Sequence, residues 1–134
     1  VTFTLESLED NLPLAQVIVD SSSNLVILNG PLGVGKTTLT QAIAKVLQSK
    51  AVVSSPTYTL FHEYPTPKGL LIHIDAYRLP SVEALLELGL DDYLERARLV
   101  VVEWGQGLLR YFPEALEVRL WFKGEARIAQ LIKH

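Results

Sequence analysis

The residues from Gly30 to Thr37, GPLGVGKT, match the pattern G-x-x-x-x-G-K-S/T at every fixed position, and that pattern is a phosphate cradle. Glycines at 33 and 35 let the backbone curl until its N–H groups point inward at phosphate oxygens. The helix that must follow adds the positive end of its dipole. Lys36 brings a mobile full charge to the β and γ phosphates of a nucleotide, and Thr37 offers a hydroxyl to Mg²⁺, a hard ion that prefers oxygen ligands and keeps several waters. A purely structural glycine turn has no need of that Lys-Thr pair. The expected nucleotide-binding set is therefore Leu32, Gly33, Val34, Gly35, Lys36, Thr37 and Thr38.

A P-loop site normally needs a carboxylate at the end of a neighbouring strand. Two apolar runs end that way: Leu99 to Val102 runs into Glu103, and Leu70 to Ile74 runs into Asp75. A carboxylate at the mouth of a buried strand is costly unless a cation or donors meet it. Each acid is thus a candidate for the charged site, with a surface acid just past a strand as the plainer alternative. Ser55, Pro56 and Thr57 follow the loop's helix by a few residues; Pro56 holds Ser55 extended, which makes a stiff hydroxyl-bearing loop suited to sensing a γ-phosphate, or an ordinary turn. Arg78 could meet phosphate charge or a structural partner. Trp104 reads first as a core or interface aromatic. His73 alternates with apolar neighbours and reads as a satisfied core or supporting histidine rather than a catalytic one.

Such a cradle requires a buried strand before it and a helix after it. Leu25 to Leu28 is a short apolar run stopped by Asn29 and Gly30, as expected of a buried strand. Past the loop, Leu39, Ile43, Ala44 and Leu47 recur at helical spacing between Lys36 and Gln48. Upstream, Val1 to Leu5 alternates as a strand, and Ser7 opens a segment whose apolar residues Leu8, Leu12, Val17 and Ile18 fit a helix imperfectly. Downstream, Val52 and Val53 begin a strand, Tyr58 to Tyr64 alternates until Pro65 to Gly69 turns the chain, and Leu70 to Ile74 answers as a hairpin partner. Ser81 is the expected N-cap of a helix ended by Gly89, and a second helical piece covers Asp91 to Glu95. Leu99 to Val102 is the most strand-like run. Ala115 to Phe122 and Ala126 to Ile132 alternate around a Lys123-Gly124 turn as a terminal hairpin. The expectation is one α/β domain over residues 1 to 134, a P-loop NTPase-like mixed sheet with helices on both faces.

Composition narrows the function classes. A chain of 134 residues, 49% hydrophobic, holds one core but no separate substrate domain. No segment approaches the roughly 18 consecutive apolar residues of a membrane span, and the N-terminus lacks a basic stretch followed by an apolar one. With zero cysteines, disulfides, thiolate zinc sites and cysteine nucleophiles are excluded, and the cytoplasm is the expected compartment. Twelve Lys and Arg are scattered against 15 Asp and Glu, for a formal charge of −3. That is no footprint for an independent nucleic-acid binder, so any RNA would be held by a partner.

The motifs also fall in a recognisable order: G-x-L-G-x-G-K-T-T at 30 to 38, S-P-T-Y at 55 to 58, H-x-D-x-Y-R at 73 to 78, E-L-G-L at 87 to 90 and E-W at 103 to 104. This series, over residues 7 to 127, resembles the TsaE (YjeE) family, the ATPase of bacterial threonylcarbamoyladenosine synthesis on tRNA. The later motifs are not shared with P-loop proteins in general. The resemblance implies a protein that binds and slowly hydrolyses ATP and docks on a complex of TsaD with TsaB, where TsaD transfers threonylcarbamoyl to the adenosine beside the anticodon. It implies Lys36 on phosphate, Thr37 and Glu103 on Mg²⁺, Asp75 and Thr57 near the γ-phosphate, and Trp104 beside the site, so that Asp75, Thr57 and Glu103 form the catalytic group. It also implies adenine contacts from Ser7 and Arg127. Pro31 departs from the family, which usually has an acid there, and Asn11 and Ala15 replace its usual Thr and Gly.

Three mechanisms suit these residues. In the first, bound Mg-ATP orders the 54 to 57 loop and hydrolysis releases it, changing affinity for a partner enzyme. The second is a small-molecule or nucleoside kinase with Asp75 as base, although 134 residues leave little chain for a lid and an acceptor pocket. The third is a nucleotide-binding module whose hydrolysis depends on its partner.

Overall fold

A computed structural model of the chain describes residues 2–21, 23–31, 33–50, 61–77 and 79–133, without the side chain of Leu8. The expected strand at Val52 and Val53, the loop with Ser55 and Thr57, and the positions of Leu32 and Arg78 lie outside the described residues.

The elements run β1 (Thr2–Leu5), α1 (Leu8–Asp20), β2 (Leu25–Asn29), α2 (Lys36–Val46), β3 (Phe61–Thr66), β4 (Gly69–Asp75), α3 (Glu83–Glu87), α4 (Leu90–Arg96), β5 (Leu99–Glu103), a 3₁₀ turn (Gln106–Arg110), β6 (Leu116–Lys123) and β7 (Ala126–Lys133). The strands form one seven-stranded sheet in the order β1-β7-β6-β2-β5-β4-β3. Its centre is parallel, with β2 between β5 and β6 and β4 beside β5. Its margins are antiparallel: β3 on β4, β7 on β6, and β1 on β7. This is the mixed α/β sheet the sequence implied.

Composition explains the layering. Central parallel strands are covered on both faces and must be apolar throughout; every residue of β2 and β5 is buried. On one face, α1 and α2 contribute Leu14, Ile18, Leu39 and Ile43 to a core with Val26, Leu28, Leu71, Leu99 and Val101. On the other, α3, α4 and the 3₁₀ turn bring Leu85, Leu90 and Leu108 against Leu25, Ile27, Ile72, Ile74, Val100 and Val102. Helices therefore cover both faces. Among the described residues, no helix is long and apolar enough to cross a membrane.

Some boundaries differ from expectation. Helix α2 stops at Val46 rather than Gln48 because Gln48 takes the left-handed conformation, φ 65°. The amides of Gln48 and Ser49 then turn back to the carbonyls of Lys45 and Ala44, closing a Schellman cap without glycine. Helix α3 is capped by Val82, not Ser81, and without a side-chain bond; the Ser81 carbonyl still accepts the Ala84 amide, so the turn starts where expected and the regular helix one residue later. β3 extends through Pro65 to Thr66, which pairs with Gly69. Gly69 has φ 124°, and a Cβ there would lie 2.6 Å from the Cβ of Arg98, so only glycine fits. The 3₁₀ turn after Gly105 had no counterpart in the sequence reading.

Candidate functional site

Parallel strands with the same direction bring their carboxyl ends to one edge of the sheet, where ligands of open α/β folds bind. The register makes that concrete. Glu103 pairs with Leu28 on one side and with Asp75 on the other, so both acids lie level with the start of the glycine loop.

The loop has the geometry its glycines predict. Gly33 and Gly35 have φ 79° and 106°, and Gly35 caps α2 with no side-chain bond to the helix's first amides, which suits them to an anionic ligand. Gly30 is needed for another reason: a Cβ on it would stand 2.7 Å from the Leu120 carbonyl oxygen and 2.8 Å from Val34 Cγ1.

Gly33, Gly35, Lys36, Thr37, Thr38, Asp75, Glu103 and Trp104 line a common cleft of about 270 Å³. Lys36 is buried, 5% exposed, and its ammonium donates to the Gly30 carbonyl at 2.6 Å while sitting 3.6 Å from the centre of the Trp104 ring. Burial pulls its pKa below the ordinary lysine value, opposed by the carboxylates of Glu103 and Asp75. Trp104 occupies the left-handed region, φ 64°, a conformation that costs a non-glycine residue energy. Its ring meets that of Tyr77 at 4.9 Å.

The two acids are held differently. Asp75 accepts the Tyr77 amide at 2.9 Å and is partly exposed. Glu103 is 4% exposed, and its Oε2 lies 2.5 Å from Nε2 of a wholly buried His73. The Thr37 hydroxyl and these carboxylates are hard oxygen donors in one cleft, the donor set that suits magnesium. Among the described residues no group of three or more His, Cys, Asp or Glu could hold a metal unaided, whereas magnesium commonly takes one or two carboxylates and completes its shell with water and phosphate. The residues therefore fit the ion.

A second cavity, of about 230 Å³, adjoins the first through Gly35 and Thr38 and is lined also by Leu5, Ser7, Asn11, Val34 and Arg127. Pairing of Leu5 with Arg127 between β1 and β7 brings its walls together. Arg127 donates to the Gly33 carbonyl at 3.5 Å, and its Nε is buried without a partner among the described residues. Ser7 caps α1, accepting the Asp10 amide at 3.3 Å. All expected site residues that are described thus line one or the other of two neighbouring cavities that share Gly35 and Thr38, while Leu32 and Thr57 lie outside the described residues.

Sequence reasoning did not find the His73 bond to Glu103, the stacking of Lys36 on Trp104, or Asn11 as a wall of the second cavity. Asn11 did carry a signal: it stands at core spacing with Ala15 and Ile18 on α1, is 5% exposed, and leaves its Oδ1 without a partner among the described residues.

The family model of threonylcarbamoyl adenosine biosynthesis protein TsaE matches residues 5–129. A protein of Haemophilus influenzae named as the tRNA threonylcarbamoyladenosine biosynthesis protein TsaE is 40% identical over 112 residues, covering 81% of this chain and 69% of its own. The protein of the same name from Mycobacterium tuberculosis is 40% identical over 131 residues, covering 89% and 77%. That of Aquifex aeolicus is 49% identical over 83 residues, covering 59% and 62%. The crystal structure of Bacillus subtilis YdiB superposes with a TM-score of 0.76 at 23% identity, covering 99% of this chain and 84% of that one, which speaks for the fold.

Proposed function

Because the chain belongs to the TsaE family, we propose that it is a Mg-ATP-binding, slowly hydrolysing P-loop subunit that acts with TsaD and TsaB in threonylcarbamoyl modification of the tRNA adenosine beside the anticodon. The observation that carries the nucleotide reading is the convergence of Lys36, Thr37, Asp75 and Glu103 in one cleft at the carboxyl edge of the sheet. The relatives' names support the pathway.

In this reading the amides of the loop and the Lys36 ammonium cradle the β and γ phosphates. Thr37 and Glu103 would hold Mg²⁺, whose chemistry there would be to neutralise phosphate charge. Asp75, partly exposed beside the cleft, orients the attacking water, with Thr57 near the γ-phosphate. The adjoining cavity at Ser7, Asn11 and Arg127 takes the nucleoside. Hydrolysis then changes the affinity for the partner proteins. The formal charge of −3 supports a division of labour in which the partners hold tRNA, and the cytoplasm is where that substrate is found.

Calorimetric titration of ATP with and without Mg²⁺ tests the site; absence of heat from folded protein rejects it. Incubation with labelled ATP and a metabolite pool should release only free phosphate, and a labelled acceptor would make the protein a kinase. Co-purification with TsaD and TsaB in ATP should be lost in Lys36→Ala. A variant that keeps both the complex and the tRNA modification would reject the proposed role.

A further inference from the structure

Strands alternate their faces, so residues two apart share one. On β4, His73 and Asp75 follow Leu71 on the face covered by α2; on β5, Glu103 follows Leu99 and Val101 on that same face. His73 pairs with Val101 and Asp75 with Glu103, which sets the imidazole one step behind both acids. It engages one of them, Glu103 Oε2 at 2.5 Å. Its other nitrogen, Nδ1, has no partner among the described residues. A fully buried imidazole with an idle nitrogen is a poorer core residue than Leu or Val, so packing gives no reason for histidine here. The bond to Glu103 does.

We propose that His73 is a positioning residue for the metal-facing acid: it donates from Nε2 to Glu103 Oε2 and fixes the carboxylate so that Oε1 is presented to the cation or to a water on it. The inference rests on the magnesium and nucleotide reading above and assigns a task to a residue that reading leaves unused. Mg²⁺ demands near-ideal octahedral geometry, and a glutamate with three free torsions meets that demand only if something orders it. Partners behind a ligand typically change metal affinity by about 10 to 100-fold. Asp75 is held, among the described residues, by the amide of its own turn, with no histidine behind it as Glu103 has.

The experiment is calorimetric titration of ATP into the whole chain, in EDTA and in Mg²⁺, read as the affinity gained from the metal. His73→Phe keeps the ring volume and removes the donor; the metal-linked gain should fall by about tenfold or more. His73→Gln places an amide N–H near the position of Nε2 and should restore the gain to within about threefold of wild type. A folded His73→Phe protein with the wild-type gain overturns the inference, and so does His73→Gln as impaired as His73→Phe, since the loss would then be one of packing. If Phe prevents folding, His73→Asn, whose amide stops near Nδ1 and cannot reach Glu103, carries the same expectation as Phe. A wild-type protein that binds ATP with no gain from Mg²⁺ overturns the metal reading and this inference together. A wild-type gain left untouched in the donor-free variant overturns this inference alone.

Discussion

At the inner end of the groove, Lys36, Thr37, Asp75 and Glu103 are supplied by one loop and two adjacent strand ends, and the parallel register sets them level. At the outer end, Ser7, Asn11 and Arg127 come from segments far apart in sequence, brought together by the pairing of β1 with β7. The inner end concentrates charge in a buried place: Lys36 is 5% exposed and Glu103 4%. Among the described residues the outer end holds one arginine resting on a loop carbonyl and otherwise neutral groups. Where charges are buried they act strongly on a phosphate tail and depend on one another. Where the wall is neutral, each residue adds a small and separable amount.

The largest effect expected is at the inner end. Lys36→Ala removes the ammonium facing the phosphates and should weaken ATP binding by roughly 3 kcal/mol, about a hundredfold, with or without Mg²⁺. Wild-type affinity in calorimetry would place the phosphates elsewhere. Next, Glu103→Gln leaves an acceptor for His73 but removes the charge, and should cut the magnesium-linked gain at least as far as His73→Phe does, by roughly tenfold or more, while affinity in EDTA changes little. Asp75→Asn should keep that gain and slow phosphate release instead. If Asp75→Asn loses the gain and Glu103→Gln does not, the assignment of the two acids is reversed.

How much was legible follows the same division. The P-loop, its flanking strand and helix, and both strand-end acids could be read because each lies in a contiguous run whose spacing has a physical cause: Leu25 to Leu28 must be apolar to sit in mid-sheet, and Gly33 and Gly35 must be glycine to take positive φ. The level placement of Asp75 and Glu103 could not be read, since it depends on which strands neighbour β5. The bond from His73 to Glu103 was hidden for the same reason. Ser7 and Arg127 came from family resemblance alone. Their shared cavity depends on Leu5 meeting Arg127, and no spacing along the chain reports a pairing across the whole sheet.

At the outer end, Arg127→Ala should cost about 1 kcal/mol of nucleotide affinity, several-fold, and by the same factor in EDTA and in Mg²⁺. That equality separates the two ends more sharply than the size of the loss. A defect that grows with Mg²⁺ in the calorimeter would mean that Arg127 reaches the metal-bound phosphates, and the groove would have to be read as one electrostatic unit.

The smallest effect is on the stability of the protein without nucleotide. Burial lowers the Lys36 pKa from 10.5, with Glu103 and Asp75 opposing it. The unfolded chain has no such burial, so between the depressed value and 10.5 it binds more protons at this site than the native state does. Stability should therefore rise with pH across that window, and below it the cost of holding the charge in place is present in full. The slope is bounded by one proton, about 1.4 kcal/mol per pH unit. Lys36→Met removes the titration while keeping a chain of similar length, so urea unfolding of the variant should show a shallower rise over the same alkaline range. Equal slopes in the two proteins would mean that water reaches the ammonium as freely in the folded state as in the unfolded one. The inner end would then lack the buried charge that distinguishes it from the outer.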